Sequence, residues 1–303
     1  MGETRSWRRA AGVLALVVTL AGITACGGGD GGGGDGDAEG AEPPGTTSTT
    51  GAGAAASDGR LYVLVTNGEG IASPGLSALV EALYQQPDTT VGVVAPDTTN
   101  PVPPAPLAEG AVPTVTFAAT ADGYPGIVLA ADAADTVSSA VTQTLDGMPP
   151  DQGTPQLVVT GINTGQLIGP LAEFSNNVPA AQAAVAADVP ALVVAQGVDE
   201  NPPEYTAGVN QALAWIDDHR EALLSGEQAA QVTLLNVPSC AVGEVRGVVE
   251  VPVAADAAGR DLALVDCTST AEGPVDDVAA FTTGFATLSV LAPADATTTT
   301  SGG

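Results

Sequence analysis

Lysine is absent from the chain, and basic residues of any kind are few. Seven arginines stand against 35 acidic residues, and the formal net charge at pH 7 is −28. Because so negative a surface repels a polyphosphate backbone, the composition excludes nucleic-acid binding. Histidine occurs once, as His219. A Ser-His-Asp triad or a histidine metal site would therefore depend on that residue. It lies in the helical pattern WIDDHREALL, which predicts a structural role.

The N-terminus has the pattern of an export signal. Arg5, Arg8 and Arg9 precede the apolar run AAGVLALVVTLAGI, and the segment ITAC ends at Cys26. The run is short for a membrane span, and a glycine tract follows it directly. Residues 1–26 are therefore predicted to be a lipoprotein signal peptide, with Cys26 as the lipidated residue. An uncleaved anchor is the alternative. Either form attaches the chain to a membrane, and a lipid anchor places it on the outer face of the bacterial cytoplasmic membrane.

Two segments have almost no large apolar residues. The stretch GGGDGGGGDGDAEGAEPPGTTSTTGAGAAASDG cannot bury enough surface to offset the entropy of ordering. Residues 27–59 are therefore predicted to be a disordered acidic tether. Residues 294–303 are predicted to be a disordered tail, and residues 60–293 to form one domain.

Within that domain, apolar strand-like runs alternate with segments of helical periodicity. This alternation predicts an α/β fold with a doubly wound, mostly parallel sheet and helices on both faces. The segment Val245–Cys267 predicts a small β extension near the C-terminus. The predicted strands are LYVLVT, TVGVVAP, PQLVVTGIN, PALVVAQG, QVTLLNVP and FATLSVLAP. The predicted helices are PGLSALVEALYQQ, AADTVSSAVTQTL, VPAAQAAVAADV and AGVNQALAWIDDHREALLSG.

Several of these strands run into polar or glycine-rich loops. In a doubly wound sheet the carboxyl ends of the strands share one edge, where ligands bind. The loops at residues 67–70, 97–100 and 161–165 are therefore predicted to face one crevice.

Three of these segments together resemble one protein family. In chain order, LVTNGEGIASPGL, VGVVAPDTTNP and PQLVVTGINTG resemble the strand-NDDG-x-x-x-PG, VVAPDxxxSG and PDLVVSGINxG motifs of the SurE metal-dependent 5′/3′-nucleotidases. Weaker matches follow in AADAADTV, FSNNV, LLNVP and DDVAAFTTGFATLSVL. The resemblance spans Leu61 to Leu291. It implies a SurE-like fold and hydrolysis of a small phosphomonoester or nucleotide.

The resemblance also implies a metal site, in altered form. The family binds a divalent metal through two adjacent aspartates, a serine and an asparagine. Those positions hold Gly68, Glu69, Pro101 and Asn163 here. Glu69 and Asn163 are thus the implied catalytic and metal-binding residues, and the implied Mg²⁺ or Mn²⁺ is held weakly or not at all. For Glu69 the alternative is a solvated loop acid. Three residues offer replacement oxygens, and the choice among them stays open: Asp97, Thr98 and Thr99.

Phosphate binding is implied at two loops. The turn after the third predicted strand contributes Gly161, Thr164 and Gly165, whose backbone N–H groups suit an anion. The family's SGT loop keeps Ser175, while Asn176-Asn177 replaces its glycine and threonine. A glycine-rich turn of this kind also serves tight packing alone, which is the alternative.

The two remaining cysteines predict a disulfide. Cys240 and Cys267 are an even number in an exported domain, where disulfides form and persist.

Two functions of different classes follow. The first is a membrane-anchored lipoprotein with a SurE-like phosphatase or nucleotidase domain of weakened or remodelled activity. The alternative is a non-catalytic binding or structural lipoprotein that retains the fold. The sequence fixes neither the substrate nor the oligomeric state.

Overall fold

A nine-stranded mixed sheet forms the centre of the domain. The computed structural model describes residues 59–96, 98, 114–130, 141–142, 144–145, 153–198 and 204–291. The predicted signal peptide with Cys26, the tether up to residue 58 and the C-terminal tail lie outside the described residues. Within the described part, no helix has the length and apolarity needed to cross a membrane.

The strand order is β3-β4-β2-β1-β5-β6-β7-β9-β8. The six strands from β4 to β7 in that order run parallel, β3 and β9 pair antiparallel with β4 and β7, and β8 runs parallel to β9. This confirms the predicted α/β class. The strands are β1 Leu61–Thr66, β2 Thr89–Pro96, β3 Thr114–Ala119, β4 Pro125–Ala130, β5 Leu157–Thr164, β6 Ala191–Gln196, β7 Val232–Val237, β8 Val248–Glu250 and β9 Ala286–Val290.

Helices cover both faces of the sheet, as predicted. The α-helices are α1 Pro74–Tyr84, α2 Asn177–Ala186, α3 Thr206–Ser225 and α4 Asp277–Thr282, and a 3₁₀ helix spans Gly169–Phe174. Leucines and valines of α1 pack with α3 in one core, while α2 packs in a second core with Val141. The described residues of the predicted helix AADTVSSAVTQTL, at 141–142 and 144–145, are helical.

Local sequence explains where the helices begin and end. The Ser73 hydroxyl accepts from the Leu76 N–H and caps α1, whose first residue is Pro74. Gly226 has a φ of +74° and ends α3 in the left-handed conformation.

Two parts of the sheet differ from the sequence prediction. Strands β3 and β4 form a hairpin that the pattern did not indicate, since β3 is a short edge strand with exposed side chains such as Phe117. The β extension predicted over Val245–Cys267 is limited to the three residues of β8. Beyond it, the Asp256 and Asp261 carboxylates accept backbone N–H groups two residues on, so side-chain turns replace a sheet ladder.

A buried carboxylate holds this irregular segment on the domain. Asp277 has no exposed surface, and its two oxygens accept from the N–H groups of Gly169 and Ala254, both at 2.8 Å. Burial raises the pKa of Asp277, against the lowering effect of those hydrogen bonds. The start of the 3₁₀ helix and the segment after β8 are thereby fixed to α4.

Candidate functional site

The candidate site lies at the carboxyl edge of the sheet, where β1 and β5 are neighbours. Strand order reverses here, because β2 lies on one side of β1 and β5 on the other. The turn after β1 and the end of β5 meet at this point, and the N-terminus of α2 completes the crevice. The predicted convergence of the first and third loops is confirmed.

Asn67 organises the turn after β1. Its side chain is fully buried. The amide nitrogen donates to the Ser73 hydroxyl at 3.0 Å and to the Ile162 carbonyl at 3.1 Å, and the amide oxygen accepts from the Glu69 N–H at 3.1 Å. Gly70 has a φ of +95°, which favours glycine. The turn is therefore attached to β5 and to the cap of α1.

Glu69 contacts Thr164 across the crevice through both carboxylate oxygens. Oε1 accepts from the Thr164 N–H and Oε2 from the Thr164 hydroxyl, each at 3.0 Å. The same hydroxyl lies 2.7 Å from the Tyr205 hydroxyl. Since the threonine proton is directed to Glu69, Tyr205 donates to Thr164. Burial above all, and the charge of Glu69, raise the pKa of Tyr205, which keeps this donor protonated.

Asn177 joins the three loops from the start of α2. Its amide oxygen accepts from the Gly68 N–H at 2.8 Å. Its amide nitrogen donates to the amide oxygens of Asn67 and Asn163, at 3.3 and 3.2 Å. Asn163 in turn donates to the Gly165 carbonyl at 2.8 Å. The side chains of Asn67, Asn163 and Asn177, here called the amide network, thus satisfy one another.

The residues implied in phosphate binding lie around this network. Ser175 is buried, and its hydroxyl accepts from the Asn177 N–H at 3.0 Å. Gly161 has a φ of +135°, and a Cβ there would lie 2.3 Å from the Val194 carbonyl oxygen, so close strand packing requires glycine. The Gly165 N–H donates to β6. Their role in phosphate binding stays a prediction.

The described donor set does not fit a divalent cation. Among the residues that the structure describes, no group of three or more His, Cys, Asp or Glu side chains could hold a metal. Glu69 is the one carboxylate of the implied ligand set, and Thr164 occupies both of its oxygens. The Asn163 oxygen accepts from Asn177. Hard cations need free oxygen lone pairs, commonly from one or two carboxylates.

The implied replacement ligands add one described residue. The Thr98 hydroxyl donates to the Glu69 carbonyl at 2.9 Å, which stabilises the turn backbone. Asp97, Thr99 and Pro101 lie outside the described residues.

Two further predicted features lie outside the crevice. The predicted disulfide between Cys240 and Cys267 is present, with a Cα–Cα distance of 5.8 Å. His219 stacks on Trp215, and its Nδ1 lies 2.7 Å from the Trp215 carbonyl, within α3.

Sequence reasoning missed three residues of the site. Asn67 and Asn177 gave a signal, since each follows a loop-forming pattern next to an implied ligand, but their mutual contacts depend on the tertiary fold. Tyr205 precedes α3, far in sequence from the crevice, and nothing in the pattern indicated it.

Comparisons with known proteins agree with this fold. Residues 63–258 match the family model described as Survival protein SurE. A 5′-nucleotidase SurE of Chloroflexus aggregans is 34% identical over 144 residues, which cover 45% of this chain and 51% of that protein. The chain thus spans about half the length of that relative. The 5′-nucleotidase SurE of Desulfatibacillum aliphaticivorans is 32% identical over 193 residues, covering 62% of this chain and 70% of the relative.

A solved structure provides the same result for the architecture. The SurE protein from Aquifex aeolicus superposes with a TM-score of 0.56 at 20% identity, covering 78% of this chain and 95% of that one. The family model covers well over half of the sequence, and it includes the turn after β1, the end of β5 and the start of α2. The chain therefore belongs to the SurE family.

Proposed function

We propose that this chain is a membrane-anchored lipoprotein whose SurE-family domain takes small phosphomonoesters, such as nucleotides, and hydrolyses them far more weakly than its relatives do. The substrate class is supported by the relatives, which are named 5′-nucleotidases. A divalent metal, Mg²⁺ or Mn²⁺, would be the cofactor of any remaining hydrolysis.

The contact between Glu69 and Thr164 carries this proposal. A cation at Glu69 competes with an N–H and an O–H that already bind both oxygens. Displacing them leaves polar groups without partners, which costs roughly 1–3 kcal/mol. That cost corresponds to an affinity loss of about five- to 150-fold. Metal binding, and the hydrolysis that depends on it, should be weak for this reason.

A second candidate is a non-catalytic binding or structural lipoprotein. It is favoured by the amide network, in which neutral side chains hold the three loops together. A crevice with this internal support keeps its shape when no metal binds.

The proposed location is the outer face of the cytoplasmic membrane. The supporting observations are the signal pattern that ends at Cys26 and the disulfide between Cys240 and Cys267, a bond typical of exported proteins.

The test is a metal titration followed by an activity assay. Full-length protein in detergent is titrated with Mg²⁺ and Mn²⁺ by calorimetry, and hydrolysis of p-nitrophenyl phosphate and of a 5′-nucleotide is then measured. The matched control is the SurE protein of Desulfatibacillum aliphaticivorans. We expect hydrolysis at least roughly 100-fold below the control, in line with the effect of weakened metal ligation. Equal rates would refute the proposal, and nucleotide binding without hydrolysis would establish the second candidate.

A further inference from the structure

Gly68 faces Asn176 at the bottom of the crevice. A Cβ built on Gly68 would lie 2.6 Å from the Asn176 Cβ, but 3.5 and 3.6 Å from the Asn176 carbonyl carbon and Cα. Two non-bonded carbons need about 3.5–4.0 Å. The Cβ of Asn176 alone therefore excludes a side chain at position 68.

Backbone conformation does not require glycine at position 68. Gly68 is not among the described glycines with positive φ. Asn176 has a φ of −72° and a ψ of −14°, which any residue adopts, and its side chain makes no capping hydrogen bond to α2. The exclusion thus comes from side-chain volume at both positions.

The two loops have little freedom to move apart. The Gly68 N–H donates to the buried Asn177 side chain at 2.8 Å, directly next to the point of closest approach. Separating the loops to admit a side chain would break this hydrogen bond and the amide network behind it.

We infer that positions 68 and 176 form a sterically exclusive pair, in which a side chain at 68 requires glycine at 176. Asn176 is then the residue that keeps a second carboxylate out of the crevice beside Glu69. The SurE motifs have an aspartate and a glycine at these two positions, the reverse of the arrangement here. The two departures from the family pattern are therefore one coupled change. The meaning of this pair for metal binding rests on the proposed function, whereas its packing does not.

A double-mutant cycle on the full-length protein tests the packing. Gly68→Ala adds only the Cβ, without charge. We expect it to lower the Tm by roughly 2–12 °C, the range for overpacking in a domain of this size. Asn176→Gly alone should change the Tm by less than about 2 °C, because a glycine N-cap costs little.

The combinations separate volume from chemistry. In the Asn176→Gly background, Gly68→Ala should cost less than about 2 °C, since the clashing atom is gone. In the Asn176→Ala background it should keep its full cost, because alanine retains the Cβ. Equal losses in both backgrounds would overturn the inference. If Gly68→Ala alone yields no folded protein, recovery of folded protein with Asn176→Gly but not with Asn176→Ala supports it, and no recovery in either background overturns it.

A second stage links the pair to the metal. In Gly68→Asp/Asn176→Gly, Mn²⁺ affinity measured by electron paramagnetic resonance should rise at least roughly tenfold above wild type, because a second carboxylate joins Glu69. A positive packing cycle with no gain in Mn²⁺ affinity would uphold the exclusive pair. It would also refute the proposal that a missing carboxylate limits this site.

Discussion

Removing the side chain of Glu69 should destabilise the domain, because the carboxylate joins the turn after β1 to the end of β5. In Glu69→Ala the Thr164 N–H and hydroxyl lose their acceptor. If Glu69 acts in this way, the loss is seen without any metal. A free metal ligand would instead leave the metal-free protein unchanged.

The magnitude follows from the number of bonds and their exposure. Hydrogen bonds to a charged group contribute roughly 1.5–3 kcal/mol each when buried. Glu69 is half-buried, and water replaces part of what is lost, so Glu69→Ala should cost about 1–2 kcal/mol in all. Glu69→Gln should cost less than about 1 kcal/mol. Its amide can donate to the Thr164 hydroxyl, which can then turn toward Tyr205.

Thermal unfolding and hydrogen exchange measure this effect. A loss of about 1–2 kcal/mol lowers the Tm of a domain of this size by roughly 2–8 °C. The Thr164 amide should lose its protection from exchange in Glu69→Ala and keep most of it in Glu69→Gln. Glu81→Ala, an exposed glutamate on α1, is the matched control and should change neither. If Glu69→Ala leaves Tm and exchange unaltered but abolishes Mn²⁺ binding, Glu69 is a metal ligand and our reasoning is wrong.

Three further predictions concern features outside the crevice. Because burial raises the pKa of Asp277 above its ordinary value of 3.8, the folded state holds that proton more tightly than the unfolded state. Stability should therefore fall as the pH rises through the folded-state pKa, and denaturant titrations of Asp277→Asn across that range should lack this fall. Cys240→Ser/Cys267→Ser opens a loop with a sequence separation of 27, which should cost about 3.5 kcal/mol, and an unchanged denaturation midpoint would contradict this. Cys26→Ser should leave an unprocessed precursor that carries no acyl mass by mass spectrometry, whereas normal processing would disprove the lipid anchor.

The order of strands and helices could be predicted because the signals are local. Runs such as LYVLVT and PALVVAQG are apolar throughout, as expected for parallel strands buried on both faces. The disulfide was predictable for a similar reason, since only two cysteines remain after the signal. Strands β3 and β4 gave no comparable signal, because edge strands need only one buried face.

The site was predictable in its location and not in its contacts. The loops at the ends of β1 and β5 had to meet, since parallel strands present their carboxyl ends at one edge. Which donors satisfy Glu69 is a different matter, because Thr164 is 95 residues away in sequence. The same holds for Gly68, whose glycine is explained by a side chain on another loop and by no backbone requirement.

The amide network has a consequence for the environment in which the domain works. Asparagine side chains do not ionise, so the bonds that join the three loops are insensitive to proton and salt concentration. A cluster of acids in the same place would repel itself in a chain with a net charge of −28 and would depend on external cations to hold its shape. With neutral amides at its centre, the crevice keeps one geometry in fresh water and in brine alike.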